Sequence, residues 1–200
     1  AEQLLEAEEK NYFNIIRSAG NRLMRTIEMI MNYSRITVGD FPIKKQKINL
    51  TNIIQSLYDE FKYTAELKNL KFIFNNECGE VFVLADNYCI TQAIANLIDN
   101  SIKYTKHGSV RINLKRDDQN KLILEIKDTG IGISKKYQDR LFEPYSQQEL
   151  GWNRPYEGVG LGLALVKKYL ILNNMDISFQ SKEGLGSSFY IHFGEAEIAD

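Results

Sequence analysis

Two hundred residues, 44% of them apolar, suffice for one sizeable buried core with an appendage, and a formal charge of −1 with both signs scattered along the chain excludes a default nucleic-acid or membrane-surface role. Cys78 and Cys89 show neither metal-ligand spacing nor a disulfide framework, which fits a reducing, cytoplasmic setting. No apolar run approaches the roughly 20 residues of a membrane span and no signal peptide is visible; without an initiator Met, the chain reads as excised from something larger.

From Phe13 the apolar or small residues fall at Ile16, Gly20, Leu23, Ile27, Ile30 and Ser34, predicting one long helix over about 9–36 that ends at Val38-Gly39-Asp40. Ile15, Met24 and Met31 widen its apolar side, so the helix wants a partner helix. Residues 41–48, with Phe41-Pro42 and the run Lys44-Lys45-Gln46-Lys47, read as a linker. A second helix is expected from a cap at Asn49 or Thr51, and two short strands, 71–74 and 81–84, flank the polar turn 75–79. Asp86 caps a third helix reaching about Tyr104. Strands 110–115 and 122–127 then form a hairpin around Asp117-Asp118-Gln119-Asn120. A short helix, a polar loop over about 144–157, a glycine-led helix and a closing strand pair, 177–181 and 187–193, complete the chain. Helices interleaved with hairpins predict an α/β fold, a two-layer α/β sandwich preceded by one long helix.

Three segments carry candidate chemistry. Gly158-Val159-Gly160-Leu161-Gly162-Leu163 hands over directly to an amphipathic run, and unsatisfied N–H groups at a helix start suit phosphate; the same pattern also serves to pack a helix tightly on a sheet. Asn96 and Asn100 share a face of the third helix, with Lys103 and Tyr104 one turn on; their amide oxygens suit Mg²⁺, or they cap backbone or face solvent. Asp128-Thr129-Gly130-Ile131-Gly132 ends a strand with a carboxylate able to accept from an adenine amine, or makes an ordinary Asp-Gly turn.

Together these residues resemble the ATP-binding half of a sensor histidine kinase of the GHKL superfamily. Gln92 to Tyr104 resembles the family's N-box, Asp128 to Gly132 its first glycine box, Leu141 to Gln147 its F-box, Gly158 to Gly162 its second glycine box and Gly184 to Phe189 its final glycine motif. The resemblance implies the Bergerat-type ATP-binding fold over 49–194, a tail over 195–200, and a partial dimerization and phosphotransfer helix over 1–40. It implies ATP with Mg²⁺ as cofactors, Asn100 as the main metal ligand and Asn96 in support. Lys103 and Arg154 are implied at the phosphates, Tyr104 by the base or ribose, and Asp128 at the adenine amine. Gly130, Gly132, Ile133, Gly158, Gly160, Leu161, Gly162 and Ser187 are implied to complete the nucleotide site, and 147–157 to form an ATP lid.

The implied activity is phosphoryl transfer from ATP to a His that this stretch does not contain, since neither His107 nor His192 matches the acceptor position. Implied partners are a second copy of the full-length protein and a response-regulator receiver domain, with no nucleic acid, and with a membrane only through regions outside the chain. Related ATPases carry a Glu where Asn96 stands, so hydrolysis should be slow. Glu157, Val159 and Pro155 depart from the family's usual residues. A degenerate nucleotide-sensing or dimerization module is therefore the alternative.

Overall fold

The computed structural model describes residues 2–148 and 159–193. The chain divides into two units, Ala1–Phe41 and Pro42–Asp200. In the first, a single helix α1 (Glu2–Thr37) exposes Phe13, Ile16, Leu23, Met24 and Met31. No helix among the described residues is long and apolar enough to cross a membrane.

The second unit is a mixed five-stranded sheet covered on one face by helices, with a two-stranded ribbon beside it. Its elements in order are β1 (Lys45–Asn49), α2 (Leu50–Leu67), β2 (Lys71–Asn76), β3 (Phe82–Asp86), α3 (Asn87–Tyr104), β4 (Ser109–Arg116), β5 (Leu122–Asp128), α4 (Lys135–Gln138), α5 (Gly162–Leu172), β6 (Asp176–Lys182) and β7 (Gly186–His192). The large sheet has the order β2-β4-β5-β7-β6, with β2 and β4 parallel and the other pairs antiparallel. Alternation sends Val110, Ile112, Leu114, Leu124, Ile126, Phe189 and Ile191 to one face, where they meet Ile90, Ala93, Ile94, Leu97 and Ile98 of α3; all are buried. The two-layer sandwich expected from the sequence is the observed fold.

Both helix starts read from the sequence carry side-chain caps. The Asn49 carboxamide accepts from Asn52 N at 3.0 Å, and Asp86 Oδ1 accepts from Cys89 N at 2.9 Å. One expectation is corrected. The Lys-rich stretch read as linker contains strand β1, which pairs antiparallel with β3 and buries Ile48 across from Val83. The strands β2 and β3, close in sequence, lie in different sheets. The loop between them is drawn to the start of α2, where Leu50 N donates to Val81 O and Thr51 Oγ1 to Gly79 O, so β3 leaves β2 and joins β1.

The sheet's other face is polar. Glu125, 7% exposed, accepts from Lys115 Nζ at 3.0 Å and Asn113 Nδ2 at 2.9 Å. Burial works to raise its pKa, but these hydrogen bonds prevail and hold the carboxyl below its ordinary value. A carboxylate with a lowered pKa stabilises the fold above its unfolded value of about 4.3 and stops doing so as the pH falls through the folded value. Glu125→Gln should therefore cost about 1–2 kcal/mol at neutral pH. Thermal melts should show that cost shrinking below pH 4; a cost independent of pH would refute the charged network.

Candidate functional site

Four elements bring the site together: α3, the end of β5, the start of α5 and the β6–β7 hairpin. Asn96 is 7% exposed and Asn100 half-buried, one turn apart on α3. A methyl group built at Gly162, the first residue of α5, would lie 3.8 Å from Asn96 Oδ1 and 4.0 Å from Asn100 Nδ2. The amide pair therefore faces the N-terminal turn of α5, whose first N–H groups lack intrahelical acceptors. Among the described residues the Asn100 amide has no hydrogen-bond partner. A mid-helix Asn so placed adds nothing to helix stability and is free to meet a ligand.

Gly160 makes the approach to α5 possible. Its φ is +75°, and a Cβ would press to 2.8 Å from Ser146 O and from the Tyr145 carbonyl carbon, so the turn before α5 packs directly on the segment after Phe142. Leu161 is buried and accepts the first helical hydrogen bond from Leu165 N at 2.9 Å. Phe142 is itself fixed edge-on against Phe179 and lies under the Lys167 ammonium.

Asp128 ends β5 and is 6% exposed. Its Oδ1 accepts from Gly130 N at 2.8 Å and Ser187 N at 3.2 Å, which commits one carboxylate oxygen and leaves Oδ2 without a donor among the described residues. Burial pushes the carboxyl above its ordinary value, against the pull of these two N–H groups. Glycines let main chain close around it: a Cβ at Gly130 would strike the Tyr104 carbonyl oxygen, and one at Gly186 would strike that of Asp128. The next strand end is tied in by Ser181, whose hydroxyl accepts from Ile133 N at 2.8 Å and pairs with Ser187 Oγ at 2.9 Å. Gly132, at φ +67°, abuts the Lys182 carbonyl.

Lys103 and Tyr104 occupy the last turn of α3, the ammonium 5.1 Å from the ring centroid. A residue that sequence reasoning missed holds that turn. Lys68, just after α2, donates from Nζ to Ile102 O at 2.8 Å and Lys103 O at 3.2 Å, capping helix carbonyls that otherwise lack donors. Arg154, Pro155, Glu157 and Gly158 lie outside the described residues, as does most of the expected lid. All other expected site residues belong to the four elements, to the turn before α5, or to the 129–133 turn that follows β5.

The profile of the family described as "Histidine kinase-, DNA gyrase B-, and HSP90-like ATPase" matches residues 85–197, which span α3, the β5 end and α5. The chain belongs to this ATPase family. Among its relatives, the autoinducer 2 sensor kinase/phosphatase LuxQ of Vibrio parahaemolyticus is 32% identical over 194 residues, covering 94% of this chain and 23% of that protein. The chain thus spans about a quarter of that relative's length. Two solved structures share the fold: full-length ShkA in complex with AMPPNP, at TM-score 0.79 and 20% identity over 96% of this chain and 40% of that one, and the histidine kinase ThkA in complex with the response regulator protein TrrA, at TM-score 0.68 and 22% identity over 91% and 50%. Of the two histidines, His107 lies exposed in the loop after α3, and His192 of β7 pairs with Ser178 Oγ at 2.7 Å.

Proposed function

We propose that this chain is the ATP-binding catalytic portion of a sensor histidine kinase, passing the γ-phosphoryl group of ATP to a histidine outside the 200 residues. One observation carries the reading: the Asn100 amide, without a hydrogen-bond partner among the described residues, faces the N-terminal turn of α5 across a space bounded by Asn96 and a glycine. A hard cation takes amide and phosphate oxygens together, so Asn100 and Asn96 would hold Mg²⁺ there. When bound, the metal neutralises charge on the phosphates. The α5 N-terminus and Lys103 supply the remaining positive potential, Tyr104 lies by the base or ribose, and Asp128 Oδ2 accepts from the adenine amine. Ile133 and Ser187 line that end of the site.

Asn96 cannot take a proton from water as a carboxylate would, so ATP is preserved for the acceptor histidine. Ending phosphoryl transfer on a histidine suits a receiver domain of a response regulator as the next acceptor. The uncovered apolar stripe of α1 fits a homodimer formed through residues 1–40, with 49–194 as the catalytic domain, and a need for ATP places both in the cytoplasm. Calorimetric titration with ATP, with and without Mg²⁺, tests the reading. Binding that needs Mg²⁺ is expected; absence of binding at millimolar ATP would refute an intact site and favour the degenerate module.

A further inference from the structure

At the opposite end of the α3–α5 pair from the nucleotide site lies a buried polar junction that the proposed chemistry does not use. Asn173, 4% exposed, follows the last residue of α5. Its Oδ1 accepts from Asp86 N at 2.7 Å, and its Nδ2 donates to Tyr169 O at 2.8 Å. Asp86 is the N-cap of α3, and its second oxygen accepts from Lys44 N at 2.8 Å. One side-chain amide thus ties the C-terminal end of α5 to the first residue before α3, and the two helices run antiparallel from that tie. The distances along them match. At about 1.5 Å per residue, Gly162 lies about 16 Å from Asn173, while Asn96 and Asn100 lie about 15 Å and 21 Å from Asp86. With the far ends tied in this way, the α5 N-terminus falls level with the amide pair. Beside the tie Tyr88 of α3 stands edge-on to Tyr169 of α5, and the buried residues further along both helices are mostly apolar; such contacts are less directional than a hydrogen bond between buried groups, which fixes one register.

We infer that Asn173 is a positioning residue for the nucleotide site, setting the axial register of α5 against α3 and so the gap between Gly162 and Asn96–Asn100. This rests on the reading of that gap as the phosphate and metal position. The adenine end, built on β5 and the β6–β7 hairpin, does not depend on the register. Asn173→Ala in the 200-residue chain should accordingly weaken binding of AMPPNP with Mg²⁺ by about tenfold or more, the effect of losing a hydrogen bond to a charged oxygen. Binding of adenosine, followed by NMR titration, should stay unchanged. A purely structural role would weaken both ligands together or neither, and either result overturns the inference. Should the variant not fold, the unaltered chain still decides. The Asp86 amide proton should exchange more slowly with AMPPNP and Mg²⁺ than with adenosine at matched saturation, because a ligand that requires the register reinforces the tie. Equal protection by both overturns the inference. If the unaltered chain binds no AMPPNP with Mg²⁺, the site reading fails and takes this inference with it; binding that is lost unselectively sinks the inference alone.

Discussion

Asp128→Asn is expected to lower ATP affinity about 100-fold, a loss of about 3 kcal/mol for a charge-assisted hydrogen bond, while leaving the melting temperature unchanged or raised. Two backbone N–H groups, from Gly130 and Ser187, converge on Oδ1, so the carbonyl oxygen of an Asn must take that position. Its NH2 group then points where Oδ2 stood and meets the adenine amine donor to donor. The stability side follows from the raised carboxyl pKa. A buried carboxylate with a raised pKa costs the fold free energy above that value, and the cost fades as the pH falls toward the unfolded value of about 3.9. The neutral amide avoids the cost, so any gain in melting temperature should be present at neutral pH and vanish in acid. A variant that kept its preference for ATP over GTP would refute the base assignment, whatever its stability.

Much of this was legible in the chain because the relevant signals are local. Asn49 and Asp86 announce helix starts through their own side chains, and the 117–120 turn announces its hairpin, where Asp117 Oδ1 accepts from Gln119 N and Lys121 N. The spacing of Asn96 and Asn100 fixes a shared helix face without any tertiary information. What escaped is non-local. Three of the five β1 residues are exposed and polar, and its strand character comes only from pairing with β3, some forty residues on. Parallel pairing of β2 with β4 cannot be read from either strand's own alternation, since β3 and α3 intervene. Lys68 and Asn173 look like ordinary residues closing helices; their roles depend on acceptors and donors 34 and 87 positions away. A lysine after a helix carries no sequence signal that it caps a different one.

Gly162→Ala should separate folding from ligand binding more cleanly than any change to the amides. The methyl group meets nothing closer than 3.8 Å among the described residues, and Gly162 does not have a positive φ. Alanine is the better helix former by up to about 1 kcal/mol, so the melting temperature should hold or rise. The same methyl occupies the gap between the α5 N-terminus and the Asn96–Asn100 pair. An atom that accepts from the helix N–H groups and also approaches those amides must pass through that gap at hydrogen-bond distance, near 3 Å, and the Cβ leaves no room for it. ATP–Mg²⁺ affinity should therefore fall about 100-fold, comparable to the loss of two good hydrogen bonds to charged oxygens, while adenosine, held at the Asp128 end, should bind as before. Calorimetry of the variant with both ligands decides the point. Normal ATP–Mg²⁺ binding by a folded Gly162→Ala chain would mean that the phosphates do not pass between α5 and the amides. Equal loss of adenosine would mean instead that the two ends of the site are not independent, since a methyl group at Gly162 touches nothing on the β5 side.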